Sequence, residues 1–226
     1  MIKRILIFAF MMLFIIMLLP LLKDNALAEK LNPLATKYVQ DGPSELGGAN
    51  LVTSVIVTYR GLDTLGEVAV LFLATAGIGF LLQSNKRKQK KRKSSEILQS
   101  GTVILLPLII LLGVYIFLHG HLTPGGGFQG GVVIAGGFLL VFLAFENTKV
   151  NKTLLYFIES LSGVFYVGIG VLGLVLAGGF LDNRFLPLGN FGSLASAGAI
   201  PIIYSLVGLK VGSELVGILA NMRGDE

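Results

Sequence analysis

A chain of 226 residues that is 54% hydrophobic and only 14% charged lies far from the ~25% charged residues of an ordinary soluble domain. Its mean hydropathy of +0.80 marks an integral membrane protein. The lack of cysteine excludes disulfides, thiolate metal sites and cysteine-ligated iron–sulfur clusters within the chain, and the net charge of +5, concentrated in the run Lys86–Lys93, excludes a general affinity for acidic partners.

The expected fold class is an all-α membrane protein with about six transmembrane helices, since a span takes about 20 apolar residues. The candidate spans are Ile5–Leu22, Leu65–Leu82, Ile97–Leu118, Gly130–Phe145, Leu154–Leu181 and Ala195–Ala220. The 30 glycines suit helices that approach one another closely through their backbones.

The first stretch follows Lys3-Arg4, and Ala26-Leu-Ala28 looks like a leader cleavage site. Its apolar core is longer than the roughly 7–15 residues of a signal peptide, so it reads as a retained span. Residues 23–46 are expected to form a polar outer loop containing Pro33 and Pro43. Residues 47–60 are too short to span, and predict a short re-entrant or interfacial helix with a break near Gly61.

The second span opens on Arg60-Gly-Leu-Asp63-Thr-Leu-Gly-Glu67. At helical spacing Arg60, Asp63 and Glu67 fall on one face. A carboxylate in the hydrocarbon region is costly and must face protein or water. The stripe is therefore either a static ion-pair network or part of a hydrated cation and proton route. Asp63 also suits a helix cap.

The linker 83–95 carries seven basic side chains in the eight positions 86–93. Between two spans it reads as an anchor against membrane lipid at the cytoplasmic surface, with no nucleic-acid role. Lys3, Arg4, this run, Lys149, Lys152 and Arg223 then lie inside, and Lys23, Lys30, Lys37 and Arg184 outside. Both termini are expected to be cytoplasmic.

Spans three and four are joined by His119-Gly-His-Leu-Thr-Pro-Gly-Gly-Gly-Phe-Gln-Gly-Gly131, a glycine-dense hairpin facing outward. It lacks the Gly-Lys-Ser/Thr ending of a phosphate loop. Histidine as a residue type titrates near neutrality, so His119 and His121 either accept protons at the outer mouth or are hydrogen-bonded loop histidines. Glu146 ends the fourth span at the interface. Glu159 lies early in the fifth span, beside Tyr156, Ser160 and Ser162. Lys210 and Glu214 sit four apart in the last. Glu146 is expected to be solvated, and each of Glu159, Lys210 and Glu214 is a packing charge or a proton-path element.

Two stretches resemble known families. Gly101-Thr-Val-Ile-Leu-Leu-Pro through the hairpin to Gly131 is similar to the B subunit of Mrp-type multisubunit Na+/H+ antiporters, with the likeness running over residues 97–226. Residues 46–82, with Tyr59-Arg-Gly-Leu-Asp-Thr-Leu-Gly-Glu67, resemble the C-terminal part of the Mrp A subunit. Membrane-bound hydrogenases and related respiratory complexes carry that region as a separate small subunit. The antiporter pattern often has an acidic residue where Thr58 stands, so no role is borrowed for Thr58.

The resemblance implies a two-span region over 1–82, the linker 83–95 and a four-span B-like domain over 96–226. It implies a non-catalytic membrane subunit of a cation/proton antiport module in a prokaryotic cell membrane, moving Na+ and H+ with no cofactor of its own. Its partners would be large antiporter-like subunits, small C-, E-, F- and G-type subunits and, in a hydrogenase-type complex, redox subunits. Asp63 and Glu67 would lie in or near the ion route, with Arg60 holding them ionised and Glu159, Lys210 and Glu214 as further candidates. The alternative is a purely bracing subunit whose charges are static.

Overall fold

The structure, a computed structural model, describes residues 2–24, 31–83 and 94–223. The basic run 86–93 and the motif 26–28 lie outside the described residues. Every regular element among the described residues is a helix, and the chain is an all-α membrane protein. Five helices are long and apolar enough to cross a bilayer, and a shorter apolar stretch covers Arg4–Pro20.

The chain divides into two compact units, Met1–Lys37 and Tyr38–Glu226. The first holds α1 (Ile2–Asp24) and the start of α2 (Pro33–Leu46). The expectation of a loop over 23–46 is therefore corrected from Pro33 onward. Asn32 accepts from the Ala35 N–H at 2.7 Å and Pro33 takes the first helical position, where its missing N–H is no loss. Gly47, at φ +70°, stops the helix.

In the second unit, α3 (Leu51–Ser54) passes into one π-helical turn (Val55–Tyr59) and, after a break at Arg60, into α4 (Gly61–Gln83). This is the short helix and break that the sequence predicts before the second span. Asn50 caps α3 by accepting from Thr53. Then come α5 (Glu96–Leu118), α6 (Gly127–Ala144), α7 (Lys152–Ala177), a 3-10 turn (Asn183–Phe185) and α8 (Ile200–Arg223).

Helix α8 is the central stave, packed by α4, α5, α6 and α7. Half of its apolar window is buried, against 6% for α4, so α4 is the most open of the five. The core gathers Val57, Val68, Tyr166, Leu181, Ile203, Tyr204, Val207 and Val211.

Glycines set the closest approaches. A Cβ at Gly131 would lie 2.8 Å from the Gly208 carbonyl oxygen and 2.9 Å from the Gly212 nitrogen, and one at Gly130 would lie 2.5 Å from the Gly113 oxygen. Helices α5, α6 and α8 thus meet backbone to backbone.

Three expected boundaries move for local reasons. Residues 127–131 belong to α6, not to the hairpin, because Gly127, Gly130 and Gly131 serve these helix contacts. Helix α7 ends at Ala177, where Gly178 turns left-handed at φ +85°. The chain then folds back, and the Leu181 N–H donates to the Gly170 carbonyl at 3.3 Å. Helix α8 begins at Ile200, after the positive-φ pair Ala197 and Gly198.

Candidate ion-path site

Three connections interlock at the hairpin end of the bundle. Asn50 Nδ2 donates to the carbonyls of Gly120 and Thr123, each at 2.9 Å. Thr53 Oγ1 donates to Gly120 at 2.7 Å. Asn183 Nδ2 donates to the carbonyls of Leu46 and Ala197, each at 2.8 Å. Irregular backbone at membrane depth is tolerated only where its polar groups are satisfied by protein in this way. The Tyr204 ring fills the cradle of Gly120 and Gly126, where a Cβ would come within 2.7 and 3.3 Å of it.

The two hairpin histidines have separate surroundings. His119 stacks on Tyr115 with centroids 4.1 Å apart, and its Nδ1 lies 3.1 Å from the Tyr115 carbonyl. His121 is wholly buried, with Nε2 3.4 Å from the Ser193 carbonyl and Nδ1 without a partner. Burial, helped by the nearby His119, holds the His121 imidazole below its ordinary 6.5. A neutral ring is what an enclosed site favours.

Beside this plug lies a second polar cluster. Tyr59 stacks on Tyr38 at 4.9 Å and its hydroxyl donates to Glu45. Burial, then the Glu45 bond, pushes the phenol up. Arg184 grips Asp182 with Nη2–Oδ2 at 2.5 Å. Burial works against the ionised Asp182, but the Arg184 bonds and charge outweigh it and hold the carboxyl below its usual range.

The Arg60, Asp63 and Glu67 stripe is only partly joined. Arg60 is not helical, at φ −116° and ψ 30°, and pairs with Asp63 through Nη2–Oδ2 at 2.5 Å and Nε–Oδ2 at 2.6 Å. Both side chains are more than half exposed, at 63% and 54%. Glu67 is exposed and forms no ion pair with a described residue. Tyr166 OH and Thr58 Oγ1 are buried without a hydrogen-bond partner.

Deeper in the bundle the structure joins Glu159 of α7 to the Lys210 and Glu214 pair of α8. Lys210 Nζ lies 2.6 Å from Glu214 Oε1 and 3.9 Å from Glu159 Oε1. It also sits 5.1 Å from the Phe72 ring centroid, an attractive cation–π geometry. The three charged side chains are 12%, 0% and 15% exposed. Glu146, by contrast, lies past the end of α6, where its carbonyl accepts from Arg223.

Sequence reasoning missed Tyr166, Tyr204, Asn183 and Phe72. Asn50, after Gly47-Gly48 and before an apolar run, is the one missed residue with a readable signal, that of a helix cap.

Comparison with known proteins gives concordant matches. The family described as a domain related to the MnhB subunit of Na+/H+ antiporters matches residues 97–217, over half of the chain. The family of the MBH E subunit matches residues 16–96. An uncharacterised protein of Methanocaldococcus jannaschii is 32% identical over 190 residues, 72% of each chain. A chain of the membrane-bound sulfane sulfur reductase, an archaeal respiratory membrane complex, is 42% identical with a TM-score of 0.85, covering 98% of both chains. A chain of the Mrp complex from Dietzia shares the fold, with TM-score 0.76 and 24% identity over 99% of this chain. This chain spans only 26% of that Dietzia chain and 15% of a probable K+/H+ antiporter A/B subunit of Rhizobium meliloti.

Proposed function

Since the chain belongs to the family of domains related to the MnhB subunit of Na+/H+ antiporters, we propose that it is a non-catalytic membrane subunit of a cation/proton antiport module and contributes to the ion path. The observation that carries this reading is the exposure of Asp63 and Glu67 on α4, a span of which only 6% is buried by its own chain. Carboxylates on a membrane span must face protein or water, so this face is completed by a neighbouring subunit or a hydrated channel.

Arg60 pairs with Asp63 and orients its carboxylate. Glu67 exchanges Na+ and protons, since either neutralises the same charge. The π turn Val55–Tyr59 supports this assignment, because such turns concentrate at functional sites. Partners are the large antiporter-like subunits and the small C-, E-, F- and G-type subunits of Mrp-type assemblies. The 42% identity to a respiratory-complex chain over nearly its full length favours a redox-driven setting, in which other subunits carry the electron chemistry. The halves 1–82 and 96–226 act as A-like and B-like parts, with both termini cytoplasmic and the hairpin outside.

Glu67→Gln in the assembled complex is expected to abolish cation–proton exchange in proteoliposomes. The bracing reading rests on the backbone-to-backbone contacts of α5, α6 and α8. It prevails if neutralising Glu67 and Asp63 either leaves exchange intact or dissolves the complex.

A further inference from the structure

We propose that Glu159, Lys210 and Glu214 form an internal proton-exchange site that excludes Na+. The proposal rests on reading the chain as part of an ion-translocating complex. It concerns a location different from the α4 carboxylates.

The geometry makes the distinction. Two carboxylates from two helices converge on one ammonium, 2.6 Å from Glu214 Oε1 and 3.9 Å from Glu159 Oε1. That ammonium already occupies the position a metal cation would need, and it repels a second cation placed between the same oxygens. A proton carries no such requirement, because it binds covalently to a single oxygen.

The second observation is Glu214 Oε2. It belongs to a side chain with 0% exposure and has no hydrogen-bond partner. A buried carboxylate oxygen without a donor is costly, and a proton removes that cost by neutralising the group. The charged groups that act on Glu214 are Lys210 and Glu159. Phe72 packs from α4 and brings no charge.

At 3.9 Å, Lys210 is too far to hydrogen-bond Glu159 while it holds Glu214. It therefore serves one carboxylate at a time. A proton arriving at Glu214 forms an O–H bond, releases the ammonium and lets it close on Glu159. Loss of that proton reverses the movement, and the cluster's charge changes by one proton with no other bond made or broken. The lysine stem has room beside Gly163, where a Cβ would still lie 3.7 Å from it.

The test is infrared difference spectroscopy of the purified, intact complex during a pH titration at low and high Na+. The expected result is a pH-dependent carboxyl band that Glu214→Gln removes. Its midpoint should stay fixed within about 0.3 pH unit over a tenfold change in Na+, where a competing sodium ion would move it by about one unit. A sodium-dependent midpoint overturns the proposal, as does a band that survives in Glu214→Gln. In proteoliposomes Glu214→Gln should lower proton flux by about tenfold or more while leaving the KM for the exchanged cation unchanged. A raised KM at full maximal rate overturns the proposal.

If Glu214→Gln prevents assembly, Glu159→Gln, whose site is partly exposed, should keep the Glu214 band but move its midpoint, because the released ammonium has lost its second carboxylate; an unmoved midpoint overturns the proposal. The wild-type midpoint needs no variant. The band should persist in Glu67→Gln. Its presence there together with normal exchange would sink the α4 path and spare this site.

Discussion

The side-chain amide of Asn50 donates to the Gly120 carbonyl at 2.9 Å across 70 positions of sequence. It ties the discontinuous helix that carries the α4 carboxylates to the α5–α6 connection. Since Asn50 also caps α3, one side chain joins local structure to the assembly of the bundle end. Asn50→Ala loses the cap and both long-range bonds, and should destabilise by about 2 kcal/mol. Asn50→Asp keeps the cap and should fall between the two. Thermal unfolding of the purified complex reads the order; equal midpoints for wild type and Asn50→Asp would show that the long-range bonds contribute nothing.

Glycine substitutions separate contact from composition. Gly131→Ala forces a methyl to within 2.8 Å of backbone on α8, where no side chain can yield, and should cost several kcal/mol by overpacking, about 1–3 or more. Gly168→Ala, with nothing within 4 Å, should leave the chain's own packing unchanged. Assembly yields on a native gel compare the two, and equal yields would refute the close-contact account.

The buried imidazole makes the hairpin end acid-sensitive. His121 is depressed below its ordinary 6.5 in the folded chain. The unfolded chain therefore takes up more protons below that value, and stability present above pH 6.5 drains away as pH falls toward the folded value. Asp182, whose ordinary value is 3.8, contributes only at still lower pH. Melting temperature should thus drop between about pH 7 and 5. His121→Asn should flatten that drop, and an unchanged slope in the variant would locate the titration elsewhere.

The Arg60–Asp63 pair is more than half exposed on both sides, so solvent screening leaves it little to contribute to folding. Asp63→Asn should change the unfolding midpoint by no more than about 1 kcal/mol equivalent, yet reduce exchange. A large loss of stability with normal exchange would reverse the assignment.

The spans were legible because long apolar runs admit few alternatives, and the break near Gly61 because the stretch 47–60 could neither span nor merge. The pairing of Arg60 with Asp63 follows from spacing alone. Its failure to include Glu67 does not, because Arg60 leaves the helical conformation. The meeting of Glu159 with Lys210 and Glu214 depends on the axial offset of α7 against α8, which packing decides and local pattern does not express. Gly127, Gly130 and Gly131 misled for a related reason, since glycine serves both turns and close helix contacts.

The turn at Val55–Tyr59 holds one residue more than an ordinary helical turn would, and so acts as a phase setter for everything downstream. Removing a single residue there would convert it to α geometry and rotate α4 by about 100° about its axis. Asp63 and Glu67 would swing to a new azimuth while their chemistry stayed the same, so the direction in which these acids look is encoded upstream of them, in a count of residues.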